Sequence, residues 1–265
     1  MRLAAPLLSA GMWLLVCACN APAGPADDSK TGETKPPAAD PPRIAPEARA
    51  ALLRMSQTLQ RAQGIRFFAK TQYDDVLPSG LRLLRTNTVR YLVSRPTGLR
   101  VEFEGHDDSR LLVYDGSTAT LYDRDRKFYA VTSAPDTLDA ALDMLAREAD
   151  VVVPLSDLLY RDPGAVLLEK VTAASRVGTD TIDGMEAEHF VFSQAGLDWQ
   201  IWIAKGERAV PLRLVLTYLT VDGHPQFTAT LSDWNLLAET KVTDFKVVIP
   251  PEARQADFAV DQEGA

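Results

Sequence analysis

The chain has 265 residues, 28 of them Lys or Arg against 36 Asp or Glu, for a formal net charge of −8. With no run of basic residues, that balance argues against nucleic acid or anionic lipid headgroups as the main partner. Both cysteines lie in the first 19 residues, so the remainder can hold no internal disulfide and a domain there rests on its core alone, which its length permits.

At the N-terminus Arg2 supplies a short positive segment, and Leu3 to Val16 is an almost uncharged apolar stretch. It has the length of a secretory signal and falls short of the ~20 residues a bilayer span needs. It ends in Val16-Cys17-Ala18-Cys19, which resembles the bacterial lipobox, an aliphatic residue and two small ones before the cysteine that receives the lipid. Residues 1–18 are therefore expected to be a removable lipoprotein signal peptide, with Cys19 as the lipidated, membrane-tethered N-terminus. Asn20 behind it resembles the sorting pattern for the outer membrane, on its periplasmic face. Losing Arg2 with the signal would make the chain more acidic, 27 basic residues against 36 acidic.

Residues 20–45 contain Pro22, Pro25, Pro36, Pro37, Pro41 and Pro42, several charges and no aromatic residue. Such a composition cannot bury a core, so residues 19–45 read as a lipidated, disordered, Pro-rich tether and 46–265 as one domain.

Pro46 opens a helical segment closed by Gly64, with Leu52, Met55, Leu59 and Ala62 on one face. The period then changes to two: Ile65 to Lys70 begins a strand, and Leu99-Arg100-Val101-Glu102-Phe103-Glu104 alternates strictly. Turn chemistry punctuates the remainder of the chain, at Pro78-Ser79-Gly80, Pro96-Thr97-Gly98, Asp115-Gly116, Asp183-Gly184, Gly196 and Asp222-Gly223. This spacing predicts about eleven strands: 65–76, 81–95, 99–105, 110–114, 117–122, 127–132, 174–181, 185–194, 197–204, 211–221 and 225–234.

A helix is expected between strands six and seven, started by Pro135 and Asp136, with Asp136 and Asp139 in its first turn and Leu138, Ala141, Leu142, Leu145 and Ala149 as an apolar stripe. Pro154 to Tyr160 and Ala165 to Val171 read as shorter helical pieces. Consecutive hairpins imply a mainly β, antiparallel meander, and a long twisted sheet tends to curl. If it stops short of closing it forms an incomplete, half β-barrel, whose concave face the N-terminal helix and the helical insert would cover. In 111–114 and 212–216 apolar residues at successive positions predict shielding of both sheet faces.

Eleven strands, an N-terminal helix and an insert between the sixth and seventh strands resemble the incomplete barrel of the outer-membrane lipoprotein carrier and receptor (LolA and LolB). More closely, the chain resembles a family of predicted periplasmic proteins of unknown function within that superfamily. The stretches that carry the likeness are Val113-Tyr114-Asp115-Gly116 through Leu121-Tyr122-Asp123, Pro154 to Tyr160, His189-Phe190-Val191-Phe192 and Asp198-Trp199-Gln200-Ile201-Trp202-Ile203, across roughly residues 47–250. The resemblance implies a periplasmic protein that binds lipid or lipoprotein. The receptor's apolar projecting loop has an acidic counterpart here, Gly105-His106-Asp107-Asp108.

Nothing in the spacing points to catalysis, a metal or a cofactor. His106, His189 and His224 stand alone without HExxH or CxxC, and Asp123-Arg124-Asp125 lacks the later Gly and Glu of a calcium loop. There is no GxSxG, and Ser117, Ser156 and Ser193 have no catalytic context. His189, in phase with Met185, Ala187 and Val191, reads as a histidine hydrogen-bonded within the core. Trp199 shares phase with Leu197, Ile201 and Ile203, and Trp202 points the other way.

The leading expectation is a non-enzymatic, outer-membrane-tethered lipoprotein whose half-barrel binds a lipid, an acyl chain or a lipoprotein. Phe67, Val101, Phe103, Val113, Leu138, Leu142, Leu145, Trp199 and Ile201 would line the cavity if the concavity is open, and are packing if it is filled. The alternative is an envelope protein-interaction or sensing module with a filled barrel; a hydrolase comes third.

Overall fold

The computed structural model describes residues 43–77, 79–106 and 108–258. The signal segment, Cys19 and the tether lie outside them. Helix α1 (Pro46–Gln60) leads into strands β1 (Gly64–Val76), β2 (Arg82–Ser94), β3 (Gly98–Glu104), β4 (Ser109–Tyr114), β5 (Thr118–Asp123) and β6 (Phe128–Ser133). The insert comes next, with α2 (Leu138–Glu148), a single 3-10 turn (Ser156–Leu158) and α3 (Pro163–Leu168). The chain then returns as β7 (Ala173–Ile182), β8 (Met185–Gln194), β9 (Leu197–Ala204), β10 (Pro211–Tyr218) and β11 (Gln226–Asn235), and ends on β12 (Arg254–Gln255).

These strands make one open sheet in the order β12-β6-β5-β4-β3-β2-β1-β11-β10-β9-β8-β7. The expected half-barrel is therefore present, with one strand more than the sequence indicates. β12 is two residues long and lies parallel to β6, an exception to an otherwise antiparallel meander. A strand that short carries no readable alternation.

Local chemistry explains where the helices start. Pro46 occupies the first turn of α1, where a missing amide costs nothing, and Glu47 sits beside it at the positive end of the dipole. In α2 the cap is Thr137, whose side chain accepts from the Ala140 amide, with Asp139 in the first turn and Arg147 in the last. Asp136, expected inside that turn, precedes the cap instead, because the threonine hydroxyl takes the capping position. Asp162 caps α3 ahead of Pro163.

One continuous core joins the helices mainly to one face of the sheet, called here the inner face. α1 contributes Ala48, Ala51, Leu52, Met55 and Leu59, and α2 contributes Leu138, Ala141, Leu142, Met144 and Leu145. Against them stand Phe67 and Ala69 of β1, Val89, Tyr91 and Val93 of β2, Phe190 and Phe192 of β8, Trp199, Ile201 and Ile203 of β9, Leu212, Leu214 and Leu216 of β10, and Phe227, Ala229 and Leu231 of β11. The period of two puts each of these side chains on the same face as its neighbours two residues away.

The outer face is also shielded over β3 to β6. Leu111, Val113 and Tyr122 form a second cluster with Phe245, and Val247, Ile249 and Ala253 pack around it. The segment after β11 thus runs as a strap over the outer face of β3 to β6 and ends by pairing with the β6 edge. This explains the successive apolar residues at 111–114: Leu112 and Tyr114 face inward and Leu111 and Val113 face the strap. Close approach is built in at Gly98, where a Cβ would sit 2.9 Å from the Phe245 ring.

Gly64 marks the junction of α1 with β1. A Cβ there would fall 1.9 Å from the Ala238 carbonyl oxygen, while the Ala238 amide donates to Gly64 O at 3.2 Å. Backbone cannot yield as a flexible side chain does. Gly64→Ala should therefore destabilise the domain by at least about 2 kcal/mol in urea unfolding, whereas Gly184→Ala, which meets open space, should show only the smaller cost of its positive φ; equal losses would contradict the packing assigned to Gly64.

Candidate functional site

Of the nine residues expected to line a cavity, Phe67, Val101, Leu138, Leu142, Leu145, Trp199 and Ile201 fall in the inner-face core, and Phe103 packs at its margin. Val113 does not join them. It belongs to the outer cluster beneath the strap, because Leu112 and Tyr114 take the inner phase of β4.

Around its central residues the inner face is closely packed. Trp199, Ile201 and Leu145 are 0% exposed and Phe67 2%, so no water-sized space lies open beside them. Rings stack tightly across the strands: Phe67 lies 4.3 Å from both Tyr91 and Trp234, and Phe192 4.0 Å from Trp199. α2 fits the rest of the face through apolar side chains, with few directed bonds. From α2 itself the Leu138 amide donates to Pro96 O at 2.9 Å, and the segments flanking it accept from Tyr91 Oη (Pro154 O, 2.7 Å), Tyr114 Oη (Pro135 O, 2.5 Å) and the Arg95 guanidinium (Tyr160 O, 3.0 Å).

One end of this apolar layer is polar. Gln194 at the end of β8 pairs with Leu197 at the start of β9, Leu197 pairs with Tyr218 at the end of β10, and Trp199 pairs with Leu216. Gln194 Oε1, Trp199 Nε1 and Tyr218 Oη are buried there without a hydrogen-bond partner. Each such group costs about 1–3 kcal/mol. Asp157 of the insert is buried in the same region, 1% exposed, and its carboxylate acts on Tyr218. The sequence signals none of this, since a glutamine, a tryptophan and a tyrosine on three strands meet only once register is set.

Burial pushes the Tyr218 phenol up to about 12, and the Asp157 charge adds in the same direction. Burial likewise drives the Tyr91 phenol far above its ordinary value.

His189 is not in the core. Phe190 and Phe192 claim the inner face of β8, which leaves His189 on the outer face, stacked on Trp202 at 3.9 Å and bonded through Nε2 to Gln200 Oε1 at 2.9 Å. Trp202 donates to Asp180 at 3.2 Å, and the Thr181 amide and this indole hold the Asp180 carboxyl below the usual carboxylate range. Ser193 Oγ donates to Asp198 at 2.6 Å and stands four residues from His189 along β8, roughly 13 Å away. Ser117 bonds to Asp115, and Asp123 accepts from the Arg126 amide as an ordinary turn. Among the described residues no three His, Cys, Asp or Glu groups are placed to share a metal. A separate cleft of about 230 Å³ at the end of α1 is lined by Gln57, Gln60, Arg61 and Arg161, chemistry unsuited to hydrocarbon.

Because the folded state holds the Tyr218 proton more tightly than an unfolded tyrosine near pH 10, that part of the stability is complete below pH 10 and is lost as pH rises through about 12. Tyr218→Phe should be as stable as the parent or more so at pH 7, since it removes an unpartnered hydroxyl. It should also lose less stability between pH 10 and about 12, as measured by thermal unfolding across that range. A parallel pH profile for the two proteins would refute the assignment.

Among curated proteins, none matches the sequence significantly. Solved structures of similar shape include an uncharacterised conserved protein from Thermus thermophilus, 13% identical over 80% of this chain and 99% of that one, with a TM-score of 0.48. Another is the lipoprotein LppX of Mycobacterium tuberculosis, 14% identical over 74% and 100%, with a TM-score of 0.44. A LolA-superfamily protein from Nitrosomonas europaea is 10% identical over 76% and 97%, with a TM-score of 0.38. In sequence, residues 48–259 match one family throughout, and the chain belongs to that family, DUF2092, described as predicted periplasmic proteins.

Proposed function

We propose that the domain binds a lipid, or the acyl chain of a lipoprotein, against its inner face, held near the periplasmic face of the outer membrane by lipid on Cys19, and that it makes and breaks no bond. The observation that carries this reading is the shape of the inner face in chemical terms: a broad apolar layer closed at one end by the unpartnered Gln194 Oε1, Trp199 Nε1 and Tyr218 Oη. An amphiphile has the complementary form. Its hydrocarbon replaces the contacts of α2, at about 25 cal/mol per Å² in either case, and its polar end satisfies donors and acceptors that the closed protein leaves unpaired.

The filled inner face makes binding an exchange, α2 leaving as hydrocarbon arrives. That exchange is feasible because side-chain burial holds α2 in place and a hydrogen-bonded ladder does not. A second reading, an envelope protein-interaction module, is favoured by the same filled face together with the exposed leucines at 81–84.

Protein purified from membranes and examined by native mass spectrometry with lipid extraction should carry lipid, and it should take up a fluorescent fatty-acid probe. Leu142→Ala, which opens space under α2, should cost about 2–5 kcal/mol of stability and increase probe uptake. Tyr218→Phe should weaken uptake several-fold, as for one lost hydrogen bond of ~1 kcal/mol. Absence of bound lipid in every preparation, with no uptake by the parent or by Leu142→Ala, overturns the reading.

A further inference from the structure

The β1–β2 hairpin runs on past its neighbours. β3 pairs with β2 only from Thr88 to Ser94, and past the buried Asn87 the residues Arg82–Thr86 are exposed, a projection of roughly 17 Å at ~3.4 Å per residue. On the other side the last β11 pairing of β1 is Tyr73 with Phe227. Beyond it the 219–225 loop stands beside the ribbon, its Gly223 carbonyl accepting from the Arg82 guanidinium.

This projecting end is apolar and exposed. Leu81 and Leu84 are each 64% exposed and Leu83 40%, and the adjoining loop adds Leu219 at 38% and Val221 at 47%. Single exposed leucines are ordinary, but three on one projection, with two more exposed aliphatic side chains on the adjoining loop, are not. The ribbon's charges cancel in cross-strand pairs, Arg82 with Asp74 at 3.7 Å and Arg85 with Asp75 at 3.1 Å. Beside them the loop carries Asp222 and His224.

Two further features select the partner. Leu83 and Leu84 are consecutive on a strand, so they point to opposite faces of the ribbon. A folded protein surface covers one face of a thin ribbon, whereas fluid hydrocarbon surrounds both. The N-terminal segment also joins the domain at this same end of the sheet: Ile44 bridges Ala174, and the Ala45 amide donates to Ala174 O at 2.9 Å. Ala174 lies at the start of β7, level with the β8–β9 turn, and that turn shares its end of the sheet with the β1–β2 turn.

We propose that this end docks on a lipid bilayer, with Leu81, Leu83, Leu84, Leu219 and Val221 inserted shallowly at the level of the headgroups and upper acyl chains. Contact of this kind is driven by apolar burial and not by charge, and it turns toward the bilayer the end of the inner face that holds Gln194 and Tyr218. The proposal does not depend on acyl binding within the domain.

A chain beginning at Asn20 keeps every described residue and lacks both the signal segment and Cys19. In sedimentation with phosphatidylcholine vesicles it should partition to the lipid, with little change when salt is raised. The double variant Leu81→Glu with Leu84→Glu should partition at least about tenfold more weakly while keeping the parent's circular dichroism and fatty-acid probe uptake. Leu237→Glu, 89% exposed at the opposite end, should match the parent. The proposal is overturned if the parent stays in solution, if it binds only phosphatidylglycerol vesicles and salt abolishes that, or if the double variant partitions like the parent. Loss of self-association in the double variant without any vesicle binding would overturn it too, and would assign the ribbon to a second copy of the chain.

Discussion

An open sheet of twelve strands exposes a large apolar face, and hiding that face is the constraint on which the rest of this structure depends. A closed barrel hides it by curvature alone. Here the two outermost strands do not meet, so α1 and α2 supply the missing layer and share one core with the inward-facing residues of the sheet. The cover is structural in the closed state. Its contacts are apolar and carry no directional requirement.

The same constraint acts on the outer face in a different way. Most outward residues are polar or paired, as with His189, Gln200, Trp202 and Asp180, but β4 is apolar on both sides and has to be covered again. The strap through Phe245 to Ala253 does this, and its last residues satisfy part of the β6 edge. An edge of unpaired amides invites strand addition, so a short parallel strand there both finishes the core and limits association.

Polarity is distributed unevenly along the inner face. At one end the buried groups of Gln194, Trp199 and Tyr218 lack partners, at about 1–3 kcal/mol for each group. The projecting, charge-balanced β1–β2 ribbon and the junction with the N-terminal segment lie at that same end of the sheet. A ligand-binding reading and a membrane-docking reading thus rest on separate residues but share an orientation.

Eleven strands and the main helices were legible in the order of residues, because each is a local pattern: alternation in β3, the apolar stripe of α2, glycine and aspartate chemistry at hairpins. So were the opposite orientations of Trp199 and Trp202, which reflect a period of two. The family resemblance was legible as well, in short stretches such as 113–123 and 198–203, within the matched residues 48–259. What tertiary structure alone decided were matters of long-range registration. Whether the inner face is filled or open depends on how helices more than seventy residues apart in sequence fit one sheet. Which side of β8 carries His189 depends on Phe190 and Phe192 winning the inner face, and Val113 was lost to the outer cluster because Phe245, more than a hundred residues away, packs against it. Periodicity sets which residues share a face; only packing between distant segments sets which face is the core.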